Sequence, residues 1–196
     1  MPNAAPDKLA IRWLSTAEER HRWRAGFAGA YQTVFSEFPY FERHYPSEAE
    51  GVYRRLTGIE GNITLVATRG QTQLVGFGVA VPLASMPSVA THLTGLVPLR
   101  HTFYLAELGV LEPYRGKEVG RTLVRERLRR IPERYSHVVL RVSVNHLQST
   151  EMYRAMGFEE MGVTQDVSAM RVDGSVTTDR RLFLSRVLSQ VARHGP

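Results

Sequence analysis

Apolar residues recur along the chain with two different periods, and the change from one to the other marks the elements. Trp23, Phe27, Ala30, Tyr31, Val34 and Phe35 fall mostly three or four residues apart, the spacing of one helical face. Ser15 or Thr16 can cap that helix, Glu18 and Glu19 lie in its first turn, and Pro39 ends it. A second helix is predicted with Ser47 as its cap, Val52, Tyr53 and Leu56 inward, and Gly58 and Gly61 closing it. Residues 11–14, 63–68, 74–81 and 103–111 are short runs rich in apolar and β-branched side chains and predict strands, with Arg69-Gly70-Gln71 as a hairpin turn. Residues 85–100 read as a long loop. Helical spacing returns over 119–131, where Val119, Leu123, Leu128 and Ile131 face inward and arginines outward. A strand over 138–144, a short helix over 149–156 stopped by Gly157, and closing strands over 163–172 and 181–188 complete the pattern. The order predicts an α/β fold, a mixed sheet with helices on both faces. Residues 1–8 read as a loose terminus and 9–196 as one domain.

Composition narrows the function classes. Of 196 residues, 43% are hydrophobic and 22% charged, ordinary for a globular chain. No stretch approaches the roughly 18 apolar residues of a membrane span. The N-terminus has no charged segment leading into an apolar one, so the cytoplasm is the expected compartment. Cysteine is absent, which excludes disulfides, thiolate metal ligands and a cysteine nucleophile. The histidines are scattered without metal-ligand spacing, so no metal is expected. The net charge is +6, carried almost wholly by arginine, since Lys8 and Lys117 are the only lysines. Arginine suits phosphate and carboxylate. No basic run with interleaved aromatics appears, so neither nucleic acid nor a membrane is the expected partner.

The informative stretch is LAELGVLEPYRGKEVGR, residues 105–121. An apolar strand ends, a proline turn follows, and Arg115-Gly116 leads into Val119-Gly120-Arg121 at a helix start. The first amides of a helix lack internal partners, and its dipole adds positive charge there. Such a start binds phosphate. Gly116 and Gly120 admit close approach, and Arg115, Lys117 and Arg121 supply charge. Neither a P-loop nor a dinucleotide fingerprint fits, because G-x-x-x-x-G-K-S/T and G-x-G-x-x-G are both missing.

ELGVLEPYRGKEVGR, residues 107–121, resembles the signature of the GCN5-related N-acetyltransferases: a strand ending in V-x-P, then Q/R-x-x-G-x-G/A opening a helix. NHLQSTEMYRAMGF, residues 145–158, resembles that family's second segment through Asn145, Tyr153 and Gly157-Phe158. The resemblance implies a mostly antiparallel central sheet in which two strands splay apart and hold acetyl-CoA. By position, Leu108, Gly109 and Val110 would meet the pantetheine arm and the acetyl carbonyl. Arg115, Gly116, Lys117, Glu118, Val119, Gly120 and Arg121 would surround the pyrophosphate, and Asn145 and Tyr153 would lie by the thioester. The sequence departs from the family pattern twice. Glu118 stands where the first glycine belongs, and its carboxylate would either repel the pyrophosphate or swing outward. Asn145 precedes Tyr153 by eight residues where the family has seven.

Acyl transfer to an amine needs a base, donors for the oxyanion and a proton for the leaving thiolate. No Ser-His-Asp or cysteine pattern is present, so direct attack by the amine is preferred. Tyr153 is the candidate acid. Glu107, a lone carboxylate in an apolar strand, is the candidate base or a clamp for the substrate amine; strict alternation places it on the face of Leu105 and Gly109. His101, His137 and His146 are alternative bases. Phe38, Tyr40, Phe41 and Tyr45 cluster between the first two helices and, with the 85–100 loop, suggest an acceptor site. The resulting expectation is N-acetyl transfer from acetyl-CoA to a primary amine of a small molecule, by a chain that could form a homodimer. A protein or peptide amine is a variant of that reading. A non-catalytic acyl-CoA-binding sensor or scaffold is the competing one.

Overall fold

The computed structural model describes residues 8–188. Apart from Lys8, the expected loose terminus lies outside the described residues. Seven strands form one sheet in the order β1-β2-β3-β4-β5-β7-β6. They are β1 Leu9–Trp13, β2 Ile63–Arg69, β3 Gln73–Pro82, β4 Thr102–Val110, β5 His137–Ser143, β6 Glu159–Met170 and β7 Val176–Val187. Every neighbouring pair is antiparallel except β4 and β5.

Helices α1 (Ala17–Ser36) and α2 (Pro46–Thr57) cover one face, where Phe27, Tyr31, Phe35, Tyr53 and Leu56 pack on Phe77, Val79 and Tyr104. Helices α4 (Val119–Arg130) and α5 (Leu147–Arg154) cover the other, with Leu123, Leu128 and Tyr153 against Leu65, Phe103 and Leu140. Thr16 caps α1 in a full capping box with Glu19. The predicted cap of α2 is displaced. Tyr45 occupies it and Pro46 takes the first turn, where a missing N–H costs nothing. The expected 85–100 loop is mostly wound into short turns, including α3 (Pro87–Ala90), and buries Val89 and Leu93. Val89 and Leu93 stand at helical spacing, but the helical turns there are too short to show a repeating pattern; both residues belong to the core shared with α1 and α2.

Two irregularities in β4 build the site. First, β4 pairs with β5 only from Thr102 to Leu105, opposite His137 to Leu140. Beyond that point the parallel strands part. Second, Leu105 faces Ala80 while Glu107 faces Val79, so Ala106 is an extra residue in the ladder, a β-bulge. The bulge reverses the alternation. Leu105 packs toward α4, and Glu107 points to the α1/α2 face with Gly109 and Tyr104. The expectation that Glu107 shares a face with Leu105 therefore fails, because period-two counting assumes no inserted residue.

Candidate active site

Where β4 and β5 diverge, a cavity of about 740 Å³ opens between them. One wall is the end of β4, Leu108 to Val110; the other is Asn145, His146 and the first turn of α5. The start of α4 closes one side with Arg115, Gly116, Glu118, Val119, Gly120 and Arg121, and Val34, Phe38 and Tyr40 come from the α1/α2 side. Gly109 has no room for a side chain, since a Cβ there would stand 2.4 Å from the Phe77 ring.

The turn before α4 explains its residues. Gly116 has φ +71° and Glu118 φ +61°, both left-handed. The second value is where a glycine costs nothing and a glutamate is strained. Its carboxylate, 61% exposed, lies 3.6 Å from Arg121 Nε and 4.0 Å from Arg125 Nη2. Glu118 thus leans along the outside of the helix, although it still borders the cavity. The first-turn amides of Val119, Gly120 and Arg121 precede any intrahelical acceptor and remain free for an anion. Arg115 donates from Nε to the Val110 carbonyl at 2.9 Å and from Nη2 to Glu37 at 2.5 Å, tying the turn to the end of α1. Lys117 does not line the cavity; its ammonium sits 5.5 Å from the Tyr114 ring centre.

Behind β4, Arg127 is fully buried. Its Nη1 donates to the carbonyls of Val79 (3.1 Å) and Glu107 (2.8 Å), the facing pair next to the bulge. Gly78 makes room for it, because a Cβ there would stand 2.9 Å from Arg127 Nε. Tyr153 is buried beside this guanidinium, edge-on to Phe158, and does not line the cavity. Burial raises its phenol pKa, and Arg127 opposes the rise.

On the other face, burial pushes the Glu107 carboxyl up to about 7 against the pull of Arg141 and Arg181. Glu107 does not border the cavity; Leu108 and Gly109 beside it do. Nearby, Glu42 is 5% exposed and receives Arg181 Nη2 at 2.6 Å and His44 Nε2 at 3.2 Å. This network fastens the segment after α1 to the β6–β7 hairpin. The four aromatics divide here. Tyr40 lines the cavity half-buried and Phe38 borders it from an exposed position, whereas Phe41 and Tyr45 are solvent-facing and do not border it, Tyr45 serving as the cap of α2.

The profile of the Acetyltransferase (GNAT) family matches residues 27–158. This chain belongs to that family. It is an acetyl-CoA-dependent acyltransferase with the GNAT fold, and the split between β4 and β5 is the gap implied by the resemblance. Solved structures share the architecture. A ribosomal-protein-alanine N-acetyltransferase from Brucella melitensis is 21% identical over 91% of this chain and 99% of its own, with TM-score 0.65. A GNAT superfamily phosphinothricin acetyltransferase from Sinorhizobium meliloti, solved with acetyl-CoA, is 17% identical over 96% and 92%, with TM-score 0.65. An N-acetyltransferase from Staphylococcus aureus Mu50 is 14% identical over 93% and 99%, with TM-score 0.63. No curated protein matches the chain by sequence. No described helix is long and apolar enough to cross a membrane.

The residues present fit acetyl-CoA. The start of α4 with Arg121 would suit a diphosphate, and the β4 edge left unpaired by β5 beyond Leu105 would suit an extended arm. Sequence reasoning missed Arg127, which was counted with the outward arginines of α4 although it stands four residues from both Leu123 and Ile131 on the inward face, and the wall contributed by Val34 and the first turn of α5.

Proposed function

We propose that the protein transfers an acetyl group from acetyl-CoA directly to a primary amine of a small molecule, and that residues 9–196 act as one acyltransferase domain. The observation that carries this is the cavity at the β4–β5 split, with an anion-binding helix start on one side and an aromatic wall of Phe38 and Tyr40 on another. The start of α4 and Arg121 hold the diphosphate, Leu108 to Val110 present backbone groups to the pantetheine arm, and Asn145 borders the opposite wall. Bound acetyl-CoA supplies the activated acyl group.

Glu107 takes up the amine proton through water or clamps the ammonium. A carboxyl near neutrality suits either task. Tyr153 supplies the thiolate proton only if its phenol reaches the sulfur from beneath the cavity floor. Tyr153→Phe separates the cases: a drop in turnover with unchanged acetyl-CoA affinity supports the role, and equal thiol release removes it. A screen of amines for CoA release, with calorimetry of acetyl-CoA binding, tests the function itself. Tight binding without turnover on any amine would favour the non-catalytic sensor.

A further inference from the structure

We propose that His146 is a catalytic residue, a neutral imidazole whose Nε2–H donates a hydrogen bond to the acyl group of acetyl-CoA. This rests on the acetyl-CoA reading of the cavity and adds to it a donor at the reacting end.

The argument begins with the helix that His146 caps. His146 precedes α5, and its Nδ1 accepts the backbone N–H of Ser149 at 3.1 Å. An orphan amide of the first turn is thereby satisfied by a ring nitrogen. A nitrogen that accepts cannot carry the proton, so the neutral ring holds it on Nε2. That atom makes no hydrogen bond to any described residue, and the ring borders the cavity. The orientation is fixed twice, by the cap and by the Tyr40 ring, stacked at 5.8 Å and 24°. Burial disfavours the imidazolium most, the backbone carbonyl of His146 itself opposes that effect, and Arg115 adds a smaller push in the first direction; the net shift is downward. The ring therefore stays neutral at pH 7, as a donor without a free lone pair.

This fixes what His146 can do. It is no base, because its lone pair is spent on Ser149. Nor does it give up its proton, since neutral imidazole is a far weaker acid than the thiol formed. It can donate to the thioester oxygen as attack places negative charge there, the proton remaining on Nε2 throughout. Neutral imidazoles act as electrophiles in this way, and preorganised donors of this kind account for large parts of catalysis.

His146→Asn separates the two jobs of the ring. Asparagine is a better helix cap, so α5 and thermal stability are kept while the cavity donor is lost. The expected result is unchanged CoA affinity, at most a small loss of acetyl-CoA affinity, and a turnover about 100-fold lower, the scale of losing one oxyanion donor. Turnover within about threefold of wild type would overturn the assignment. A second readout needs no turnover. In protein labelled with ¹⁵N-histidine, His146 should show the Nε2–H tautomer, and acetyl-CoA should shift that nitrogen more than CoA does. An Nδ1–H tautomer, or equal shifts, would overturn the donor role alone. Failure of the wild type both to bind acetyl-CoA and to release CoA would bring down the acyltransferase reading and the donor role with it.

Discussion

Arg127 Nη1 lies 2.8 Å from the carbonyl oxygen of Glu107, so a buried cation on α4 holds the strand from behind at the residue that follows the bulge. A second bond from the same nitrogen, to Val79 at 3.1 Å, clamps the partner strand. The bulge turns Glu107 to the α1/α2 face and leaves Leu108 on the cavity wall. Arg127→Met should remove two buried hydrogen bonds to strand carbonyls. Each such loss costs about 1–3 kcal/mol, partly offset because the buried charge goes too. A fall of about 2 kcal/mol in urea denaturation is expected, with a larger proportional fall in kcat than in acetyl-CoA affinity. Unchanged stability and kcat would mean that the bulge holds itself.

Glu107 gives a pH signature. Its carboxyl sits near pH 7 when folded, against an ordinary value of 4.5. As a base it works when ionised, so kcat/KM should climb with pH through about 7, and Glu107→Gln should abolish that limb. The stability effect runs the opposite way. The folded state binds this proton more tightly than the unfolded state, so stability on this account is greatest below pH 4.5 and is lost as pH rises through 7. Glu107→Gln should therefore raise stability at pH 8 by about 1–3 kcal/mol while lowering activity. Glu107→Gln with full activity and no change in melting temperature would refute both statements.

Glu118 offers a gain rather than a loss. Its φ of +61° is strained for any residue with a Cβ, at about 1–2 kcal/mol. Glu118→Gly should relieve that strain, free Arg121 from its carboxylate neighbour and tighten CoA binding severalfold by calorimetry. Weaker binding would mean that the Glu118–Arg121 pair positions the cation for the diphosphate.

The strength of the periodic signal decided which parts were legible in the sequence. The large apolar side chains of α1 recur at helical spacing, and β4 is a continuous apolar run, so both were readable. The turn into α4 was readable too, as a candidate anion site, because Gly116, Gly120 and the flanking cations are chemistry as well as pattern. The bulge at Ala106 was not: an inserted residue changes no composition and only reverses which side later residues face. His146 was visible as a histidine but not as a cap, since its role depends on a hydrogen bond to an amide three residues on. The place of Tyr40 on the cavity wall depends on long-range contacts with Arg171 and Arg181 that no local pattern encodes.

The ion pairs of those arginines carry the last prediction. Glu42 is buried, and burial alone would raise its pKa, yet the His44 hydrogen bond, Arg181 and Arg171 together hold it below the ordinary carboxylate range. The stability it contributes is present above the unfolded carboxylate pKa and disappears as pH falls through the lower folded value. Glu42→Ala would leave the buried Arg181 with Asp179, 3.1 Å away, as its one ion-pair partner among the described residues. Breaking such a pair from one side costs about 3–5 kcal/mol, more than losing an exposed bridge. The consequence should reach the site, because Tyr40 precedes Glu42 by two residues, and the Arg181 guanidinium lies 5.7 Å from the centre of its ring. With the network broken, the Tyr40 wall loosens. The KM for the amine should then rise while acetyl-CoA affinity, which we propose the start of α4 sets, holds. A Glu42→Ala protein that loses less than about 1 kcal/mol in urea denaturation would show that the network is dispensable. Equal rises in both constants would show that it supports the whole cavity rather than the acceptor side.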